Sequence, residues 1–261
     1  MTTTSHQESL KILLKALRLP TFLEVYEELS IRGEREGWSF GEYLHQLAEL
    51  EIHHRRQRKI QRLLKQSCLP REKTLDSLEL EKLPASIQRV LPNLCEGQFL
   101  RNAENVLAFG VPGVGKTHIL CAIGHALVRK GIPVLFIPAH RLVQRLLKAK
   151  QELSLEKELK KMERYEAVLL DDIGYVQQTR EEMEVLFTFL AERYERKSVL
   201  ISSNLVFSQW DRIFKDSMTT AAAIDRLVHH CVILELTGPS YRTEEAKKRQ
   251  QTSTNLEGKE S

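Results

Sequence analysis

Long apolar runs are missing from this sequence. No stretch approaches the roughly 20 residues that a membrane-spanning helix needs, so no membrane association is expected. The N-terminus, MTTTSHQESL, does not pair a basic segment with an apolar one, and no secretory leader is read there. Cysteine is scarce. The four residues Cys68, Cys95, Cys121 and Cys231 lie far apart without a CxxC pair, which argues against a zinc site or a disulfide framework. Reduced thiols in a cytoplasmic protein are the expectation. The formal charge is only +4, too mild to establish nucleic-acid binding unless the cations cluster. What is present is an ordinary globular composition, 42% hydrophobic and 28% charged over 261 residues. That supports one large domain, or a main domain with a small appendage.

Residues 1–66 show helical spacing. Leu10, Leu13, Leu14 and Leu17 recur three and four apart, and Phe22, Val25, Tyr26 and Leu29 follow after Pro20. Gly33 and Gly37 mark a break. Ser39 with Glu42 has the form of a capping box for a third helix carrying Leu44, Leu47, Leu50 and Ile52. Pro70, Pro84 and Pro92 divide residues 67–104, which read as a linker with short helices. From Asn105 the pattern changes. The runs VLAF, VLFI, AVLL, VLIS and CVILEL alternate with helical sequence, the signature of an α/β domain with a parallel five-stranded sheet flanked by helices. That domain is expected over 105–242, followed by a disordered polar tail at 243–261.

The segment Gly110-Val111-Pro112-Gly113-Val114-Gly115-Lys116-Thr117 matches G-x-x-x-x-G-K-[ST] in full. A strand-like run precedes it and a helix-like run follows, the context that a phosphate loop requires. Glycines let successive backbone N–H groups turn toward phosphate oxygens, and the helix N-terminus adds partial positive charge. ATP is the expected ligand. Lys116 is expected to reach its β- and γ-phosphates and the Thr117 hydroxyl to ligate Mg²⁺. The nucleotide-binding set therefore runs from Gly110 through His118. His118 itself reads as a packing or surface histidine rather than a catalytic base.

A second apolar strand, Ala167–Leu170, ends in Asp171-Asp172. At the carboxyl edge of a parallel sheet such an acid faces the ligand crevice. Asp171 is the candidate to hold Mg²⁺ and Asp172 to orient or deprotonate the attacking water. Asp is one methylene shorter than the Glu more usual in such ATPases, which would make hydrolysis slow until assembly tightens the site. Asn204 closes a further strand, where it suits contact with a γ-phosphate or with water; the alternative is a turn asparagine. Arg226, on the helical run Ala221–Leu227, reads as a surface arginine or, in a subunit-assembled ATPase, as an arginine finger. Trp38 and Trp210 read as packing anchors. His229 and His230 have no metal-ligand partners in view.

These residues together resemble the IstB-like ATPases, helper proteins of one class of bacterial insertion sequences and relatives of the DnaC helicase loaders within the AAA+ superfamily. The resemblance runs from about Leu10 to Arg242. It is carried by Leu69-Pro70-Arg71-Glu72-Lys73-Thr74-Leu75, Asn105–Thr117, Leu170–Val176, Ser203-Asn204-Leu205 with Phe207 and Trp210, Asp225–His230, and Gly238 with Ser240-Tyr241-Arg242. It implies an AAA+ domain preceded by a small all-helical domain. It also implies a bacterial cytoplasmic ATPase that self-assembles on duplex DNA with ATP and then recruits and stimulates a cognate transposase. Asn204 takes the sensor role and Arg226 the arginine-finger role. A separate helical lid carrying a second sensor arginine is not read after Arg242.

DNA contact is expected first at His53–Lys65, which holds six Lys and Arg side chains and no acid. Arg55, Arg56, Arg58, Lys59 and Arg62 are the candidates, against a solvated helix face. Binding there would be sequence-tolerant and salt-dependent. Lys148 and Lys150 lie in a second basic region, Arg141–Arg164, where initiator and loader relatives have an extra helix facing nucleic acid. Rival functions are a DnaC-type helicase loader, a metabolic P-loop kinase and a nucleotide-gated scaffold.

Overall fold

The alternation after Asn105 folds into a five-stranded parallel sheet in the computed structural model, which describes residues 2–175, 179–210, 213, 217–238 and 240. The expected tail at 243–261 and the motif residues Val176, Tyr241 and Arg242 lie outside the described residues. The strands are β1 (Asn105–Phe109), β2 (Val134–Pro138), β3 (Ala167–Asp171), β4 (Ser198–Ser203) and β5 (Cys231–Glu235), in the spatial order β2-β3-β4-β1-β5. All four pairings are parallel. No helix among the described residues is long and apolar enough to cross a membrane.

The chain divides into two units, Met1–Arg62 and Leu63–Ser261. In the larger unit the strand period of two sends alternate residues to opposite faces. Leu107, Phe109, Val168, Leu170, Val199 and Ile201 join a core on one face. That core is completed by helices α6 (Ala139–Gln151), α7 (Leu155–Met162), α8 (Arg180–Arg193) and α9 (Ser217–Val228). Val106, Ala108, Ala167, Leu169 and Leu200 face the other way, onto helix α5 (Lys116–Arg129). A sheet covered on both faces explains the nearly unbroken apolar runs of its strands.

Residues 67–104, expected to be a linker, pack into that second core. Leu69, Leu83, Ile87, Leu91, Leu94 and Phe99 are all buried there. Helix α4 (Ala85–Glu96) continues through Pro92 despite the lost hydrogen bond, because Ile87, Leu91 and Leu94 form one buried stripe at helical spacing. Leu153 is 97% exposed. It sits at φ 53 in the turn between α6 and α7, so its side chain belongs to neither helix face. At the far end of α8, the buried Arg193 guanidinium donates to the carbonyls of Tyr165 at 3.2 Å and Ser198 at 2.9 Å, tying β3 to β4. Burial lowers its pKa to about 10.

The smaller unit contains α1 (Thr2–Ala16), α2 (Pro20–Glu36) and the start of α3 (Phe40–Ser67) around Leu14, Tyr26, Leu29 and Leu47. The apolar series is only partly inward: Leu13, Leu17, Leu44 and Ile52 are exposed. Gly33 lies inside α2 and receives Trp38 against its Cα, so Gly37 alone ends the helix. The Ser39–Glu42 capping box forms, with Ser39 N–H donating to Glu42 at 2.6 Å and Glu42 N–H donating to Ser39 Oγ at 3.2 Å.

Glu51 is the buried charge of this unit. It accepts from Thr21 N–H at 2.8 Å, Arg55 at 2.6 Å and Arg58 at 3.2 Å. Burial alone would raise its pKa, but the bonds from Arg55 and Thr21 hold it below the ordinary value. A carboxylate shifted downward stabilises the fold above its unfolded pKa of about 4.3. That contribution is lost as the pH falls through the folded value. Glu51→Gln is therefore expected to destabilise the helical unit by about 2 kcal/mol at neutral pH and to flatten its acid dependence. Hydrogen exchange of the α2 amides against pH measures both effects; exchange identical to wild type at every pH counts against the assignment.

Candidate functional site

The phosphate loop follows β1 and opens into α5, as its motif requires. Gly110 has φ 151, and a Cβ there would meet the Leu236 carbonyl oxygen at 2.4 Å. The chain after β5 presses this close because Leu236 N–H donates to Phe109 O at 2.8 Å. Only glycine fits that position. Gly113 and Gly115 also have positive φ, 88 and 96, and Gly115 is the N-cap of α5. Val114 is buried and anchors the loop, whereas Val111 and Pro112 are exposed. The Lys116 ammonium donates to Gly110 O at 2.8 Å and Val111 O at 2.9 Å, which keeps it inside the curl of the loop.

Asp171, at the end of β3, meets the loop through one carboxylate oxygen. Thr117 Oγ1 donates to Asp171 Oδ1 at 2.6 Å. Ser202, at the end of β4, donates to the same oxygen at 2.6 Å. Ser202 Oγ also accepts from Asp172 N–H at 2.8 Å. Asp172 itself is left-handed, with φ 57. Asn204 follows on the same strand end, and its Oδ1 is buried without a hydrogen-bond partner. A Cβ at Gly174 would lie 2.2 Å from that oxygen, so the turn after Asp172 needs a glycine to admit Asn204. The site thus gathers Lys116, Thr117, Asp171, Asp172 and Asn204 at the carboxyl edge of the sheet, where ligands of parallel α/β sheets bind.

The His118 imidazole turns away from this cradle. Its Nε2 lies 3.1 Å from Thr74 O and 3.0 Å from Ser77 Oγ, so it fastens the 67–83 segment to α5. Burial lowers its pKa, which keeps it neutral at pH 7. His125 makes a similar bond to Pro70 O at 2.9 Å. Trp210 is fully buried, packed near Phe109 and Phe207 as an anchor.

The model of the family described as IstB-like ATP binding protein matches residues 12–250. The chain belongs to this family. It is 39% identical over 244 residues to a putative insertion sequence ATP-binding protein of Sinorhizobium fredii, covering 93% of this chain and 82% of that protein. It is 36% identical to the insertion sequence IS21 putative ATP-binding protein of Pseudomonas aeruginosa, covering 92% and 90%. Among solved structures, AMPPCP-bound DnaA from Aquifex aeolicus superposes with a TM-score of 0.56 at 17% identity. That alignment covers 69% of this chain but only 56% of the DnaA chain. DnaI superposes at 0.52 with 22% identity, covering 66% and 94%. These likenesses show a shared AAA+ fold.

In this IstB-like chain Arg226 is half-buried. Its guanidinium lies 4.7 Å from the Phe187 ring centroid and donates to Ala222 O at 3.4 Å. Among the described residues its contacts do not include the phosphate loop or Asp171. The basic candidates separate into two kinds. Arg55 and Arg58 are engaged with buried Glu51, Lys148 lies 3.8 Å from Glu152, and Lys150 lies 2.8 Å from Glu184. Arg56, Lys59 and Arg62 are exposed and carry no ion pair among the described residues. The histidine pair does have a third neighbour: Glu195, His229 and His230 bring donor atoms within 4.8 Å of one another, all on exposed residues.

Ser202 is the site residue that sequence reasoning missed. The sequence shows only two serines in a row at the end of β4; their full burial and the bonds of Ser202 to Asp171 and Asp172 appear only in the fold. Gly110→Ala tests the loop geometry. It is expected to lower the melting temperature and to weaken nucleotide binding by at least about tenfold, one 1.4 kcal/mol step. Leu153→Ala, at an exposed residue outside the loop, is expected to change neither. Thermal melts and titration with a fluorescent ATP analogue check both, and wild-type affinity in Gly110→Ala would count against this conformation.

Proposed function

We propose that this chain is an ATP-dependent transposition helper, which hydrolyses ATP, assembles on duplex DNA and recruits and stimulates the transposase of its insertion sequence. The observation that carries the reading is the Thr117–Asp171 hydrogen bond, which joins phosphate loop and acidic strand end into one centre. Membership of the IstB-like family supplies the insertion-sequence context.

The chain's own groups divide the work. Backbone N–H groups of the loop and of the first turn of α5 bind the phosphates. Lys116 exchanges its two loop carbonyls for phosphate oxygens. Thr117 and Asp171 offer only oxygen donors, the chemistry that a hard divalent cation such as Mg²⁺ takes, and they would hold it. When bound, that cation would neutralise charge on the β- and γ-phosphates. Asp172 orients or deprotonates the attacking water; the unpartnered Asn204 Oδ1 is suited to accept from that water, and the Asn204 NH₂ to donate to a γ-phosphate. Arg226, engaged with Phe187 and not with its own phosphate loop, is suited to a neighbouring copy's nucleotide.

Arg56, Lys59 and Arg62 are the side chains proposed to meet DNA phosphates, with Lys148 and Lys150 contributing only where their glutamate partners release them. Such contacts give salt-dependent binding without base readout. Light scattering with ATP or ADP, with and without duplex, tests the reading. Growth of large particles only with ATP and duplex is expected. A particle indifferent to both overturns it, and a preference for single strands together with helicase capture favours a loader instead.

Lys116→Ala is expected to abolish this assembly, while normal assembly would remove Lys116 as a phosphate ligand. Arg226→Ala is expected to keep nucleotide affinity within about twofold and to lower turnover by roughly a thousandfold. Mixing the two variants is expected to restore part of the ATPase rate, because an intact arginine from one copy can serve an intact loop of another. No recovery in phosphate-release assays would place Arg226 outside a trans mechanism.

A further inference from the structure

We propose that Ser202 is a positioning residue of the ATP site, one that fixes the orientation of the Asp171 carboxylate toward a divalent cation and the backbone of Asp172 beside it; this rests on the ATP reading above. Ser202 is fully buried on β4, the strand between β1 and β3. A hydroxyl has one proton to give and two lone pairs to accept with. The proton goes to Asp171 Oδ1 at 2.6 Å, and the oxygen receives Asp172 N–H at 2.8 Å. One side chain therefore holds both members of the acidic pair.

The consequence for Asp171 is rotational. A carboxylate turns easily about its last torsion, which has broad minima. Here Thr117 and Ser202 both donate to Oδ1, and among the described residues none donates to Oδ2. The two donors distinguish the oxygens and leave Oδ2 for a cation. If Thr117 releases Asp171 to serve as a ligand itself, Ser202 remains as the donor that keeps the plane of the carboxylate. For Asp172 the consequence is conformational. A non-glycine residue at φ 57 is held by its surroundings, and the Ser202 hydroxyl receives its amide.

Two neighbours on the same strand separate this role from mere burial. Ser203 bonds locally, donating to Leu205 O at 2.8 Å and accepting from Leu205 N–H at 3.0 Å. Ser198 is equally buried, and its Oγ has no hydrogen-bond partner at all.

The experiment titrates magnesium chloride into the full chain with a fluorescent ATP analogue and reads the Mg²⁺ concentration at half-maximal response. Partners that orient a metal ligand commonly carry 10- to 100-fold in metal affinity, so Ser202→Ala is expected to raise that midpoint by roughly tenfold or more. Magnesium-free nucleotide affinity is expected to stay within about twofold, because the loop is intact. Ser198→Ala is expected to leave the midpoint unchanged. The pair Ser202→Thr and Ser202→Val has matched shape, so it isolates the hydroxyl even where Ser202→Ala is unstable. Thr is expected to retain the wild-type midpoint and Val to lose it.

An unchanged midpoint in Ser202→Ala, equal shifts in Thr and Val, or an equal shift in Ser198→Ala overturns the proposal while leaving the ATP reading standing. Wild-type protein whose nucleotide response ignores magnesium altogether overturns both.

Discussion

The hydrogen bond between Thr117 and Asp171 spans two strand spacings, and the rest of the site is arranged to permit it. With the order β3-β4-β1, the phosphate loop and the acidic strand end are separated by the width of β4, about 9–10 Å at the usual strand spacing. They can meet only across the end of β4. That end must be small enough to let them pass and polar enough to satisfy the groups brought there. Ser202, paired in register with Ala108 of β1, meets both demands. A Leu at this position would insert bulk between the loop and the acid and leave Asp172 N–H without its acceptor.

The scaffold holds this geometry through burial on both faces. Strand residues alternate between the α6–α9 core and the α5 core, so sliding one strand by one residue would move its apolar set to the wrong face. The segment before β1 adds to the α5 side. Leu69 approaches Gly124, His125 takes Pro70 O, and His118 takes Thr74 O, three ties along a single helix. Helix α5, which carries the phosphate loop at its N-terminus, is thereby braced along its length from outside the sheet. The opposite end of the sheet has its own fastening in Arg193, so the carboxyl edge is left for ligand chemistry.

The sequence made the strands, the phosphate loop and the acidic strand end legible, because each depends on a local pattern. Apolar runs of strand length, a glycine-spaced loop before Lys116 and a carboxylate after Leu170 are visible without a fold. What stayed hidden depended on packing between distant segments. Pro92 read as a breaker, but a buried stripe of Ile87, Leu91 and Leu94 outweighs one missing hydrogen bond. Leu153 is apolar yet exposed, because its left-handed backbone turns it out. Arg55 and Arg58 read as surface cations until the burial of Glu51, itself invisible in a charged helix, gave them a partner. Ser202 was hidden for the same reason: its two bonds join residues thirty and thirty-one positions away.

The division of labour within one chain bears on how the proposed cycle is controlled. The groups proposed to grip a nucleotide, Lys116, Thr117 and Asp171, are assembled here by bonds internal to a single copy. Arg226 is engaged elsewhere, over Phe187 on α8. A site built this way binds before it can turn over efficiently, since transition-state charge is met only when an arginine arrives. Asp172 acts in the same direction. Its short side chain, on a backbone held at φ 57, has little freedom to reach forward without a shift of the turn it occupies. On the proposed assembly, a neighbouring copy then supplies both the missing cation and the pressure that moves the turn. On that proposal hydrolysis would be a property of the assembled state rather than of a single copy.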